Sequence, residues 1–485
     1  MKRSKFFVGL SNIAVVAVCT VGIERASNDS VAQPTRATEI ETDGRETDGS
    51  SWGHAPIVST PGGYGEPNRH AEGNGFVNEA PSVLTLEDVE AIAVANNPAI
   101  QAALATSDKA AGLREQVGTN PNPTLGYFGQ QLADRNTDQH GLFIEQEFVR
   151  GNKLALNREV LGHTQRAQVA ESDAQRLRVL TDVRVRFYEA VAAQEQLATI
   201  REFLEVAKQG VQVAEARQKA EEGSLIETLQ ARTLVSEVTL AAEQAEVAYR
   251  GAWQDLSAIA GLTTATPTKL LGNLDVPPPA YDWEMTYSHI LGQSPELAAA
   301  EAIVCEKQAA LQRERVQMIP NVTAQFGAGY DRATDHGLIN VQLSAPLPVW
   351  NRNAGNISAA QADYVRAAQE VERLKQSIRS RMARVQQEFD SASNSVRKYQ
   401  LEIIPQAKES LELSELAYRS GELDFLQVLV VRRSYYEATV RAIQSQGQLA
   451  QAAAKVTGLL LSGGLDSPAD YTTGDERRGA SFGGQ

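Results

Sequence analysis

The chain has 485 residues, 22% of them charged and 6% aromatic, with a formal net charge of −14. So acidic a balance argues against a nucleic-acid partner, since phosphate binding needs a basic face. Its apolar fraction, 42%, is mostly Ala, Val and Leu, a mixture that suits long helices packed through small side chains.

Residues 1–32 have the form of an export signal. Lys2, Arg3 and Lys5 precede the apolar run "FFVGLSNIAVVAVCTVGI", and Ser30-Val31-Ala32 offers small residues for cleavage. Ser11 and Asn12 interrupt the run, which argues against a retained anchor. Cys19 has a bulky valine before it, where a lipidation site wants a small residue. Residues 33–82 are rich in Gly, Ser, Thr, Asp, Glu and Pro and are expected to be a disordered leader. No later run of 18 apolar residues occurs, so no transmembrane helix is expected. Two options remain, a soluble exported protein or a β-barrel.

The rest of the chain repeats itself, as residues 83–280 and 281–462, before a tail at 463–485 that reads as flexible. Pro98 and Pro123 recur as Pro295 and Pro320, both 197 residues on, and Gly223 is matched to Gly421, 198 residues on. So constant an offset signals an internal duplication. Each half reads as helix, two short strands, long helix, turn and helix. The strands are expected at about 124–131, 142–148, 321–329 and 338–345. The last of them puts Ile339, Val341, Leu343 and Ala345 on one face and Asn340, Gln342 and Ser344 on the other. In the second strand Leu142, Ile144 and Phe148 oppose Glu145 and Glu147. Apolar-out, polar-in strands of this length fit a transmembrane barrel, with Glu145, Glu147, Asn340 and Gln342 as lumen candidates. Four strands cannot close a barrel alone; a trimer would supply twelve and remove the edges.

The long helices are expected at about 153–222 and 357–420, the second kinked or broken by Pro405, with returning partners at 225–260 and 423–461. Their spacing is heptad-like in places, so bundle packing is expected. Pro346, Pro348 and Trp350 mark the place where a strand leaves the membrane and a helix begins: proline ends the ladder and tryptophan suits the interface.

The duplicated helix–hairpin–helix plan, together with "PNPTLGYFGQQ", "QEFVRGNKLALNREV", "LPVWNRNAGNISAAQAD" and "AYRSGELDFLQVL", resembles the TolC-like outer-membrane efflux proteins over residues 83–462, in the style of the CzcC/CusC-type heavy-metal branch. The resemblance implies a homotrimer that joins a twelve-stranded outer-membrane β-barrel to a long periplasmic α-barrel. It implies a passive channel served by a periplasmic adaptor and an inner-membrane resistance-nodulation-division pump. It places the closed entrance at the helical tips near Gly223 and Gly421, with Tyr418 at a position whose hydrogen bond helps keep the entrance shut. Two aspartates of the family pattern are replaced here by Gln427 and Val430. Glu422 and Asp424 at one tip, and Glu221, Glu222 and Glu227 at the other, could form acidic rings in a trimer; as helix-end charges they also have an ordinary structural use.

No enzyme signature appears. His54, His70, His140, His163, His289 and His336 form no i, i+4 pair, and Met1, Met285, Met318 and Met382 do not cluster, so no metal or cofactor site is expected. Phosphate-loop and nucleophile-elbow motifs are lacking. An exported hydrolase therefore has no supporting site. A periplasmic coiled-coil adaptor would explain the helices and the export signal but not the hairpins. Drug or protein export through the same channel architecture is a further alternative for the cargo.

Overall fold

The computed structural model describes residues 83–133, 137–262, 266–275 and 280–472. The export signal (1–32), the leader (33–82) and the end of the tail (473–485) lie outside the described residues. In the first repeat β1 (Val83–Thr85) leads into α1 (Leu86–Asn96) and α2 (Pro98–Gln116). Then come β2 (Thr124–Gln130), β3 (Gln139–Phe148), α3 (Lys153–Lys219), α4 (Leu225–Ala260) and β4 (Lys269–Leu271). The second repeat runs α5 (Trp283–Gln293), α6 (Pro295–Val316), β5 (Val322–Asp331), β6 (His336–Ser344) and α7 (Ala354–Lys398). A π-helical turn (Tyr399–Ile403), α8 (Ile404–Arg419) and α9 (Phe425–Thr457) follow.

The matched prolines have the same task in both repeats. Pro98 and Pro295 each occupy the first turn of a helix, behind the caps Asn97 and Ser294, where a missing N–H costs nothing. Asn97 also donates to the Ile259 carbonyl (3.1 Å), tying α2 to the end of α4. Each sheet-to-helix corner is an asparagine in the left-handed region, Asn152 and Asn353, both with φ 58°. Asparagine tolerates this conformation better than most residues do.

The 67 residues of α3 span about 100 Å. Such a helix depends on packing along its length rather than on propensity. Midway, Phe187, Val183 and Val191 pack with Trp253 and Leu256 of α4, Val89 of α1 and Leu270 of β4. A second cluster joins Ile290 and Leu297 to Ile378, Met382 and Val385 of α7. The parallel pair β1–β4 was not legible in the sequence. Its pairing is supported from outside: Gln194 of α3 accepts from Leu270 N–H (3.0 Å) and donates to its carbonyl (3.1 Å).

Pro405 does not break its helix. The chain widens into the π turn just before it, with the Ile404 N–H donating to the Tyr399 carbonyl five residues back. That wider turn makes room for a proline ring that an α-helical turn would exclude. The tail also departs from expectation over its first ten residues, 463–472. Asp182 accepts from the N–H groups of Gly463 (3.0 Å) and Gly464 (2.7 Å). Gln175 donates to the Gly464 carbonyl (3.0 Å). Gln168 donates to the Ala469 carbonyl (2.8 Å) and accepts from Tyr471 N–H (3.1 Å). Buried Glu171 pairs with Arg178 (2.7 Å) and accepts from Ala469 N–H (3.3 Å). A row of α3 side chains thus replaces the missing strand partner of this segment, which satisfies its backbone.

Candidate functional site

The four hairpin strands form one antiparallel sheet in the order β2-β3-β5-β6, so the pairing of β3 with β5 joins the two repeats. The strands lie close to the expected spans, with β3 starting at Gln139 rather than Leu142 and β5 running on to Asp331. Register places Leu125, Ile144, Phe326 and Val341 in one row across the sheet, and Tyr127, Leu142, Ala328 and Ile339 in the next. Most of this face is bare: Leu125 is 75% exposed, Ile339 72% and Leu343 73%. Thr124, Glu145, Gln325 and Gln342 share a row on the opposite face. Asn340 lies one row further along, opposite Gly327. Three of the four lumen candidates therefore lie on one face of the sheet, opposite the apolar one. Glu147 is drawn into the corner instead: it accepts from Asn321 Nδ2 (2.7 Å), whose Oδ1 accepts from Lys153 Nζ (3.0 Å).

The strand–helix junction continues the apolar face. Pro346 and Pro348 flank Leu347, 79% exposed, and Trp350 is 95% exposed. At the far end of the sheet His140 pairs with Asp138 (2.8 Å) and also contacts the Tyr127 hydroxyl, while Arg332 reaches Asp138 from the second hairpin (3.1 Å). His163 is buried on α3, and burial holds its pKa below the ordinary value. Among the described residues no group of three His, Cys, Asp or Glu side chains is placed to hold a metal ion.

The two helical tips correct the glycine match. In the second tip Glu422 N–H (2.9 Å) and Leu423 N–H (3.3 Å) both donate to the Ala417 carbonyl, and Gly421 takes the left-handed position (φ 79°). In the first tip Glu222 N–H (3.0 Å) and Gly223 N–H (3.2 Å) donate to the Arg217 carbonyl, and the left-handed residue is Glu221 (φ 61°). Glu221 is therefore the counterpart of Gly421, and Gly223 that of Leu423, at an offset of 200. The true signal was an ion pair. Arg232 binds Glu215 (2.7 Å) across the first hairpin, and Arg432 binds Glu415 across the second.

The tip acids differ in what they can do. Glu221, Glu222, Glu422 and Asp424 are exposed, as are Gln427 and Val430. Asp424 sits at the N-cap of α9. Glu227 is committed within the chain: it lies 3.7 Å from Arg217, whose guanidinium also donates to the Glu222 carbonyl (3.2 Å). Tyr418 packs its ring 5.7 Å from that of Phe425, beside Ala214, Ala231 and Leu429, so packing of the second hairpin on the first places it. Higher up, Arg433 of α9 binds Glu237 of α4 (2.8 Å), a second link between the hairpins.

A sheet with one apolar and one polar face, mounted on helices about 100 Å long, defines a membrane-embedded conduit with a long aqueous extension. The chain belongs to the family of outer membrane efflux proteins, which matches it over residues 91–262 and 286–460. It is 26% identical over 398 residues, 79% of this chain and 92% of the relative, to the cobalt-zinc-cadmium resistance protein CzcC of Cupriavidus metallidurans. It is 29% identical over 300 residues, 58% of this chain and 62% of the relative, to the pyoverdine export outer membrane protein OpmQ of Pseudomonas putida. Its fold matches the solved structure of CusC with a TM-score of 0.63 at 17% identity, covering 78% of this chain and 92% of that one. It matches the Vibrio cholerae outer membrane protein VceC with a TM-score of 0.62 at 19% identity, covering 78% and 96%. Membership places the protein in the outer membrane with a helical extension into the periplasm, as a channel and not an enzyme.

Proposed function

We propose that three copies close their sheets into a twelve-stranded barrel whose helices continue as a periplasmic tunnel. The assembly is the passive exit duct of a tripartite system, fed by a resistance-nodulation-division pump through a periplasmic adaptor. The observation that carries this reading is the sheet itself. Each of β2 and β6 has a neighbour on one side only among the described residues, and they run in opposite directions, so β6 of one copy suits β2 of the next. Closure removes both edges, as lipid requires. Glu145, Asn340 and Gln342 then line the lumen, and Pro346, Pro348 and Trp350 meet the membrane interface. The exposed acids Glu221, Glu222, Glu422 and Asp424 would ring the entrance, with Tyr418 supporting it.

The cargo we propose is a heavy-metal cation, on the similarity to the cobalt-zinc-cadmium resistance protein over most of both chains. The test is deletion of this chain from its host. Hypersensitivity to cobalt, zinc and cadmium, reversed by the intact chain, is the expected result. Unchanged metal tolerance with loss of siderophore secretion would move the cargo to the class exported by the pyoverdine relative. Crosslinking that yields only monomers in the outer-membrane fraction would overturn the trimeric barrel.

A further inference from the structure

The polar face of the sheet contains two phenylalanines, and each is paired with a glycine. Register sets Phe143 of β3 opposite Gly126 of β2, and Phe128 of β2 opposite Gly141 of β3. On the other side of β3, Phe143 faces Gly327 and Gly141 faces Gly329. All six residues share the face of Glu145, Gln325 and Gln342, because each lies an even number of positions from that row. The rings lie across the glycines. A Cβ on Gly126 would sit 2.5 Å from Phe143 Cε1, a Cβ on Gly141 2.5 Å from Phe128 Cε1, and a Cβ on Gly327 3.1 Å from Phe128 Cε1. Both phenylalanines are accordingly half-buried.

Four glycines on one face of three neighbouring strands weaken a sheet unless something fills them. Aromatic rings laid over strand glycines do so. The cover could equally have come from large side chains on every strand. The arrangement chosen here keeps the apolar bulk flat against the backbone.

We infer that Phe128 and Phe143 set the bore of the conduit at the level of the membrane, and that Gly126, Gly141 and Gly327 keep it wide by letting the rings lie down. This rests on the reading of the polar face as the lumen. Any side chain at Gly126 must lift the facing ring away from the sheet, and one at Gly141 would meet the Ala328 carbonyl (2.6 Å) as well as the ring. In a closed assembly the same lift recurs in every copy at one height, so the passage narrows from all sides at once. The phenylalanines are thus size-determining residues, and the bore they leave serves a bulky or fully hydrated permeant better than a stripped ion.

The test uses position Gln342, one to two rows nearer the helices than the rings, as a reporter. In the full chain with Cys305→Ser, Gln342→Cys is labelled from outside intact cells by a small methanethiosulfonate and by a polymer-linked maleimide. Gly126→Val is expected to slow labelling by the polymer reagent several-fold while leaving the small reagent unaffected. Adding Phe143→Ala to Gly126→Val should restore it, because the lifted ring is gone. Trimer content of the outer-membrane fraction, scored for each variant, separates narrowing from misfolding. Equal polymer labelling in the parent and in an assembled Gly126→Val variant overturns the inference, as does a failure of Phe143→Ala to rescue. If Gln342→Cys reacts with neither reagent in the parent while Ile339→Cys does, the polar face is not the lumen and the underlying reading fails instead.

Discussion

The row of α3 side chains that holds residues 463–472 predicts a local and measurable weakness. Gln168→Leu keeps the volume of a fully buried side chain but removes its donor and its acceptor. The Ala469 carbonyl and the Tyr471 N–H then lose their partners. A buried polar group left unpaired costs about 1–3 kcal/mol. Partial access to water as the segment lifts lowers the combined cost to about 2–4 kcal/mol. At about 1.4 kcal/mol per factor of ten, local opening becomes roughly 30- to 700-fold more frequent. Native-state hydrogen exchange reads this directly, since amide protection reports the free energy of local opening. The Tyr471 amide should lose protection by that factor, while amides of α3 around Phe187, packed in a separate apolar cluster, should not change. Unaltered exchange at Tyr471 in a folded variant would refute the idea that side chains of α3 hold this segment.

Burial pushes the Tyr471 hydroxyl up to about 12, above its ordinary value of 10.0. The folded state keeps the proton that the unfolded chain releases, so this contribution is complete below pH 10 and is lost as pH rises towards 12. Tyrosinate absorbance should show a group titrating at about 12 that Tyr471→Phe removes. Gly447→Ala would place a methyl 2.7 Å from the Ala192 Cβ, forcing α9 away from α3; a loss of about 1–3 kcal/mol is expected in denaturant titrations. Arg433→Gln breaks a link whose partners are half-exposed, so stability should fall by less than about 1 kcal/mol, with the difference vanishing in high salt. Glu422→Gln with Asp424→Asn should lower the cation-over-anion permeability ratio in planar bilayers; an unchanged ratio would remove these acids from the conduction path.

What could be read from the sequence followed from periodicity. The two-residue alternation of 339–345 and the long proline-free run after Lys153 each specify one kind of element. Pro98 and Pro295 marked the duplication, and the structure puts both in the first turn of a helix, where proline is tolerated. The failures have physical causes too. The pair β1–β4 comprises three residues each, too few for any period to register. The tip match followed glycine, but Glu221 is the left-handed residue of the first tip, and the Glu215–Arg232 spacing was the better guide. The tail looked unanchored because its partners, Gln168, Gln175 and Asp182, lie about 300 residues earlier and satisfy backbone rather than side chains. The bore residues left a trace that went unused: Gly-x-Phe occurs in both strands of the first hairpin, at 126–128 and 141–143.

The sheet that ends at β2 on one side and β6 on the other has a consequence for biogenesis. A barrel made by one chain can satisfy its own backbone while it enters the bilayer. The four described strands cannot do so alone, because each unpaired N–H or C=O in hydrocarbon costs several kcal/mol. In the proposed three-copy barrel, copies must find one another before or during insertion, with their apolar faces still in water. Finished conduits therefore rise with a power of the chain's abundance rather than in proportion to it. A modest fall in synthesis, or a modest rise in periplasmic proteolysis of waiting copies, removes far more conduits than chains.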